Sequence, residues 1–406
     1  MKKSSSFCPG MPVPIEFFIG RKKEIKAVAR LIAQTAEGRS ASLFIKGEQG
    51  IGKSSLANLS AFLARSDNSV LPRDKKLFSL HLYMGAVESL KDVCQVIVKG
   101  LFAAFQQRRL LGKARKYLAK YLESLRFDLF GLGLEVRFRK DKSLDELPLE
   151  FPSLLYHMWK LTKKASPHYK GLMLILDDIE RACNIESFSP FLKSLMDHIS
   201  SQYKEFPLLL VLLGEDSCLE KLSQHHPSIT TMLQVIELPP HSREESAEFL
   251  TKALQSVNLS PEEKALEMMV SHSGGFPLLL HEIGEAVYWC DSDGKIDEKD
   301  VIDGLLMAAH SLGEKQFRHL LYRRIRDSQY RSILFRLAKM PPATFITIRL
   351  LKGLFPQQQS GKIAYFIKRM LQLGVFQLTA RSKYQFSSQL LRLYLLLTYV
   401  KGGLIS

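Results

Sequence analysis

Short apolar runs alternate with amphipathic stretches through the first 240 residues of the chain. Ser42-Leu43-Phe44-Ile45 reads as a short buried strand, and Leu77–Tyr83 as a second. Leu172-Met173-Leu174-Ile175-Leu176 is wholly apolar and ends in Asp177-Asp178. Leu208–Leu213 ends in Gly214, and Val235-Ile236-Glu237-Leu238 precedes Pro239-Pro240. Helical spacing fills the intervals: Ile25, Val28, Leu31 and Ile32 in Glu16–Ala36, then Leu56, Leu59 and Leu63, then Val87–Leu125 and Phe151–Lys164. Leu134–Arg139 alternates and suits a strand or a hairpin arm. Apolar strands separated by helices predict a parallel sheet covered by helices on both faces, the α/β class.

After Pro240 the pattern is helical only: Arg243–Ser256, Pro261–Ser271, Pro277–Cys290 and Glu298–Ser311. A third region opens near Leu312. It predicts helices over Asp327–Met340, Thr344–Leu354 and Gly361–Leu373, strands over Val375–Thr379 and Tyr384–Ser387, and a last helix over Gln389–Val400. Met1–Pro14 lacks a periodic pattern and reads as a loose tail.

Between the first strand and its helix lies Gly47-Glu48-Gln49-Gly50-Ile51-Gly52-Lys53-Ser54, which matches G-x-x-x-x-G-K-[ST] without a departure. Triphosphate oxygens can be cradled by consecutive backbone N–H groups only if the chain curls tightly, and the glycines permit that curl. The following helix adds its free N–H groups and positive dipole end. Lys53 is placed to reach the β- and γ-phosphates, and the Ser54 hydroxyl to ligate Mg²⁺. A glycine turn before an unrelated helix is the plainer alternative. A buried strand that ends in acid holds a carboxylate at the edge where ligands of such sheets bind. Asp177 is therefore the candidate Mg²⁺ ligand, and Asp178 the candidate for orienting or deprotonating an attacking water.

With these motifs the chain resembles the AAA+/STAND group of P-loop ATPases. Within it, the chain is similar to prokaryotic ATPases related to the origin-recognition initiators that end in a winged helix. Besides the glycine loop and Asp177-Asp178, Phe18-Ile19-Gly20-Arg21-Lys22-Lys23-Glu24 is similar to the group's F-[IV]-G-R-x-x-E segment, and Gly274-Gly275-Phe276-Pro277 to the G-x-P element of its lid. The resemblance implies a RecA-like α/β core over 15–238, a small helical lid over 239–311, and a winged-helix domain over 312–406, after a flexible tail of 1–14. It places Phe18, Ile19, Gly20 and Arg21 near the adenine. The phosphates fall on Gly47, Gln49, Gly50, Ile51, Gly52, Lys53, Ser54 and Ser55, and Pro277 reports nucleotide state to the lid. Gly20-Arg21 also suits a plain helix cap, and Gly275 and Pro277 are ordinary helix stop and start signals. Active members usually carry Glu where this chain has Asp178, one methylene shorter, and misplacement on that scale can cost ~10²-fold in rate. Gly214-Glu215-Asp216 offers no obvious polar sensor, and no arginine finger is assigned, Arg181 being only near in sequence.

The chain has 406 residues and a formal net charge of +16. From Ser328 to the end there is no Asp or Glu, against Arg331, Arg336, Lys339, Arg349, Lys352, Lys362, Lys368, Arg369, Arg381, Lys383, Arg392 and Lys401. A one-sign region suits a polyanionic partner, and DNA is the expected one. In a winged helix, Lys362, Lys368 and Arg369 would lie on the recognition helix and Arg381 and Lys383 at the wing tip, while Gln357, Gln358, Gln359 and Ser360 precede or open that helix, placed to touch bases or phosphates. Such modules also serve as protein contacts. The run Arg108, Arg109, Lys113, Arg115, Lys116, Lys120 suits a second nucleic-acid contact or a solvated helix face equally. Five scattered cysteines read as free thiols, no apolar run is long enough to span a bilayer, and the cytoplasm is the expected location.

The function expected is therefore a slowly hydrolysing ATPase, with ATP and Mg²⁺, that couples nucleotide state to DNA binding in replication, transposition or defence, with homo-oligomers and protein partners allowed. The alternatives are an ATP-dependent oligomerising signalling scaffold and a DNA-binding regulator that uses ATP without turnover.

Overall fold

The computed structural model describes residues 4–65, 76–107, 147–341, 344–355 and 361–402. The expected strand at Leu134–Arg139, the basic run Arg108–Lys120 and Gln357–Ser360 lie outside the described residues. The chain divides into two compact units, Pro14–Glu16 with Arg21–Pro239, and Met1–Val13 with Phe17–Gly20 and Pro240–Ser406. The Pro239-Pro240 pair, which supplies no backbone donor to extend either neighbour, is thus where the fold changes.

The first unit is built on strands β1 (Ala41–Lys46), β2 (Lys76–Tyr83), β3 (Tyr169–Asp177), β4 (Leu208–Gly214) and β5 (Leu233–Glu237). All are parallel, in the order β2-β3-β4-β1-β5. Every residue of β4 is buried, as a continuous apolar run at the centre of a sheet covered on both faces should be. The edge strand β5 is only partly covered, burying Leu233 and Ile236 and exposing Val235. Leu172, Leu174 and Leu176 of β3 and Leu208, Leu210 and Leu212 of β4 share one core. That core includes side chains of α3 (Leu90–Gln107), α4 (Leu147–Ala165) and α5 (Phe188–Gln202). On α1 (Lys22–Ala36) the apolar stripe Val28, Leu31 and Ile32 is buried, and α1 contacts β3 while α2 (Lys53–Arg65) contacts β2. Helices α6 (Asp216–His225) and α7 (Ile229–Met232) carry the chain from β4 to β5.

The second unit begins with α8 (Arg243–Gln255), α9 (Glu263–Ser273), α10 (Pro277–Cys290) and α11 (Glu298–Leu312). Capping boxes at Ser242/Glu245 and Asp297/Asp300 fix the starts of α8 and α11. A two-residue parallel pair, β6 (Ser260–Pro261) with β7 (Lys295–Ile296), ties the loops together. The N-terminal segment is not a loose tail as its sequence suggested. Phe7 is buried edge-on against Phe249 and His281, and the Cys8 N–H donates to His281 Nδ1 at 3.0 Å. Gly284 makes the room, since a Cβ there would sit 2.2 Å from the Phe7 ring. One aromatic anchor has no periodicity to reveal it, so the pattern missed this docking.

Beyond two π-helical turns, Gly313–Phe317 and Leu320–Arg324, come α12 (Ser328–Ala338), β8 (Ile346–Thr347), α13 (Ile348–Leu354) and α14 (Lys362–Gln372). β9 (Phe376–Ala380), β10 (Lys383–Phe386) and α15 (Gln389–Gly402) complete the described residues. The three strands pair antiparallel as β8-β10-β9. Phe366 of α14 is the hub of their core, edge-on to Tyr330, Phe355 and Phe376 at centroid distances of 5.0, 5.5 and 5.8 Å. Helix α15 bridges two cores, giving Leu390 to the α8–α11 core and Leu391, Tyr394 and Leu395 to the module's own.

Candidate nucleotide site

The glycine loop stands at the C-terminal end of β1, where the sheet's order turns from β4 on one side to β5 on the other. Crevices at such ends are where open parallel sheets take ligands. The curl is explicit in the backbone: Gly50 and Gly52 have φ of 82° and 97°, a region that side-chain-bearing residues avoid. A Cβ on Gly47 would come within 2.7 Å of Ile51 Cγ2, so the loop closes on itself only with glycine there. Ile51 is buried, Gln49 is exposed, and the loop runs straight into α2 at Lys53. Lys53 Nζ donates to the Gly47 and Glu48 carbonyls at 2.8 and 3.1 Å, drawing the curl together. Ser54 and Ser55 are half-buried in the first turn of α2.

Arg21 is the brace behind this loop. It opens α1 in the left-handed region at φ 57°, is buried, and its guanidinium donates to the Ile51 carbonyl at 3.2 Å. A left-handed arginine is uncommon, and strain of that kind is held only by surrounding structure. Phe18, Ile19 and Gly20 belong to the second unit, where Ile19 lies in the core with Phe249 and Leu250. Pro277 also belongs there, as the first residue of α10, after Gly274 and Gly275 at positive φ. A Cβ on Gly275 would sit 2.3 Å from the His241 carbonyl oxygen, and the His241 N–H donates to the Gly275 carbonyl at 2.8 Å.

Asp177 closes β3. Counting along the register, it lies two strands from Ile45, a separation of about 10 Å. It is buried, and its carboxylate is held on both oxygens. The Asp178 N–H donates to Oδ1 at 2.9 Å, and His81 Nε2 lies 2.9 Å from Oδ2. His81 Nδ1 in turn lies 2.8 Å from Asn58 Oδ1. Asn58 is four residues after Ser54 on α2 and shares its face. The chain Asn58–His81–Asp177 therefore ties the loop's helix to the acidic strand end, and nothing in the sequence motif signalled it. The only clue was a histidine within the largely apolar strand β2.

Asp178 has φ 58° and is exposed. Gly85 leaves its carboxylate room, because a Cβ there would lie 2.2 Å from Asp178 Oδ2. Next to it stands a group that sequence spacing missed. Glu180 Oε1 accepts from the Glu215 N–H at 3.1 Å, while Oε2 is buried without a partner. Burial, then the adjacent Asp178 carboxylate, push Glu180 up to about 7, against the opposing pull of Lys53.

The loop and Asp177 suit a nucleotide with Mg²⁺. Gly50 and Gly52 curl the backbone toward the first turn of α2, and buried Asp177 supplies one carboxylate at the end of β3. Mg²⁺ sites of one or two protein oxygens completed by phosphates have this character. Among the described residues no helix is long and apolar enough to cross a membrane.

On the C-terminal module Lys362, Lys368, Arg381 and Lys383 are exposed, while Arg369 is half-buried, its guanidinium 3.4 Å from the Arg324 carbonyl. Lys383 Nζ stands 5.1 Å from the Phe345 ring centroid. Arg392, one of the twelve cations, instead turns inward onto the Met340 carbonyl.

Comparison with known proteins agrees with this architecture. The model of the AAA ATPase domain family matches residues 18–212. An uncharacterized HTH-type transcriptional regulator of Methanocaldococcus jannaschii is 20% identical over 319 residues, 75% of this chain and 72% of its own. Among solved structures, the ORC2 protein of Aeropyrum pernix superposes with TM-score 0.58 at 14% identity, covering 99% of this chain and 98% of its own. The Walker-type ATPase of Pyrococcus abyssi does so with TM-score 0.55 at 14% identity, covering 94% and 97%. The curled loop on β1, the acidic end of β3 and the family model matched over residues 18–212 together make this part of the chain similar to AAA ATPase domains.

Proposed function

We propose that the chain binds ATP with Mg²⁺ at Gly47–Ser55, hydrolyses it slowly, and uses nucleotide state to control DNA binding by its basic C-terminal module, in the cytoplasm. The observation that carries the first part is the curl itself, with Gly50 and Gly52 at positive φ feeding the N-terminus of α2. Backbone N–H groups from Gly47 to Ser55 would take the phosphate oxygens, and Lys53 would exchange its two carbonyl partners for them. Ser54 and Asp177 would hold Mg²⁺, which when bound draws charge from the phosphates. Asp178 would orient or deprotonate the attacking water. Phe18, Ile19, Gly20 and Arg21 are the proposed adenine-side residues, and Pro277 the proposed reporter to the α8–α11 lid. No residue is assigned as an arginine finger.

The module's order of helix, strand, two helices and a hairpin supports a winged helix, with α14 as recognition helix and the β9–β10 turn as wing. Its exposed cations would neutralise phosphates across a groove. The relative from M. jannaschii, named an HTH-type regulator, supports the same reading. A protein-contacting module on an oligomeric scaffold is the second reading, favoured by Leu378 on the hairpin, 60% exposed. Phosphate release by the full chain, measured with and without duplex DNA, tests the proposal. Release above that of Lys53→Ala, changed by DNA, is expected. Release equal to Lys53→Ala would refute hydrolysis, and indifference to DNA would refute the coupling.

A further inference from the structure

Asp178 stands where a longer carboxylate is usual, in an exposed, left-handed position with its carboxylate against Gly85. One group stands beside it. Glu180 is anchored on one oxygen by the Glu215 N–H just past β4, and its other oxygen is buried with no hydrogen-bond partner, next to the Asp178 carboxyl group. Lys53 is near enough to act on its charge. A buried carboxyl oxygen without a donor is costly unless it carries a proton of its own.

We infer that Glu180 is the positioning residue of the hydrolytic site, holding the Asp178 carboxylate toward the attacking water by donating a hydrogen bond to it. The role presupposes the hydrolytic reading above. Burial favours the protonated, donating form, and the Glu215 N–H fixes which oxygen accepts and which donates. The arrangement restores with two side chains the reach and rigidity that Asp178 lacks alone. It also ties Asp178 to the end of β4, where the sequence offered no polar sensor.

The test compares kcat, KM and nucleotide affinity in the full chain for Glu180→Ala, Glu180→Gln and Asp178→Asn, and for Asp178→Asn with Glu180→Ala. Glutamine keeps both contacts, its carbonyl for the Glu215 N–H and its amide for Asp178. Glu180→Ala is expected to lose about 10- to 100-fold in kcat with KM and ATP affinity unchanged. Glu180→Gln is expected to keep most of the rate. The double variant should be no slower than Asp178→Asn, as for residues that act as a unit. Wild-type turnover in Glu180→Ala would overturn the role. So would a Glu180→Gln as slow as Glu180→Ala, or a double variant slowed by both losses. Wild-type release no greater than Lys53→Ala would instead sink the hydrolytic reading, and this role with it.

Discussion

The glycine loop and the C-terminal module are the two regions proposed to meet phosphate, yet they are built in opposite ways. The loop works through main chain: two positive φ angles, a glycine that admits no Cβ, a lysine folded onto its carbonyls and a buried arginine behind it. The module works through side chains: its exposed cations stand on a framework of interlocked aromatic rings. Chemistry that needs a fixed backbone must specify residue types at fixed spacing. Chemistry that needs only positive charge on a surface leaves a bias in composition and no motif.

That contrast can be broken at several points. Phe366→Ala removes the hub of the module's core and should cost about 3–5 kcal/mol of its stability by chemical denaturation, while leaving ATP affinity unchanged. Full stability in that variant would mean the aromatic framework is incidental. Duplex binding by the full chain should fall about 10²-fold between 50 and 200 mM salt, if about four of the named cations meet phosphates. Lys368→Ala with Lys383→Ala should flatten the log–log salt slope by about two. A slope near zero would remove charge as the basis of the interaction.

Smaller effects sharpen the picture. Burial, then His241, lower His281 to about 4, so the folded state holds the neutral ring that accepts from the Cys8 N–H. The unfolded chain binds that proton first as pH falls. The contribution, roughly 3–4 kcal/mol, is present in full above the ordinary histidine value near 6.5 and is lost as pH falls toward 4. Denaturation of wild type and His281→Phe across that range checks it, and parallel pH profiles would contradict it. Asp216→Ala, which frees the exposed end of the Lys46 pair at 2.9 Å, should cost under about 1 kcal/mol.

The sheet was legible because its central strands are buried on both faces and so read as unbroken apolar runs, β4 most of all. The loop was legible because glycine positions are dictated by backbone geometry. What escaped notice acts across the sheet rather than along the chain. His81 meets Asp177 only because β2 pairs with β3, and Asn58 joins them only because α2 lies beside β2. Glu180 reads as one more loop acid until the Glu215 N–H and Asp178 are seen around it. Arg21 shared a motif with the adenine side, yet its guanidinium donates to the Ile51 carbonyl of the loop. The N-terminal segment looked loose because Phe7 and a few polar contacts dock it without any periodic pattern.

Calorimetric titration of the full chain with ATP in the presence of Mg²⁺, for wild type and Lys53→Ala side by side, goes to the centre of the account. Saturable one-site binding by wild type, weakened at least ~100-fold in the variant by loss of a charge-assisted contact to phosphate, is the expected result. Equal affinity in the two proteins would mean that the curl between β1 and α2 does not grip a triphosphate.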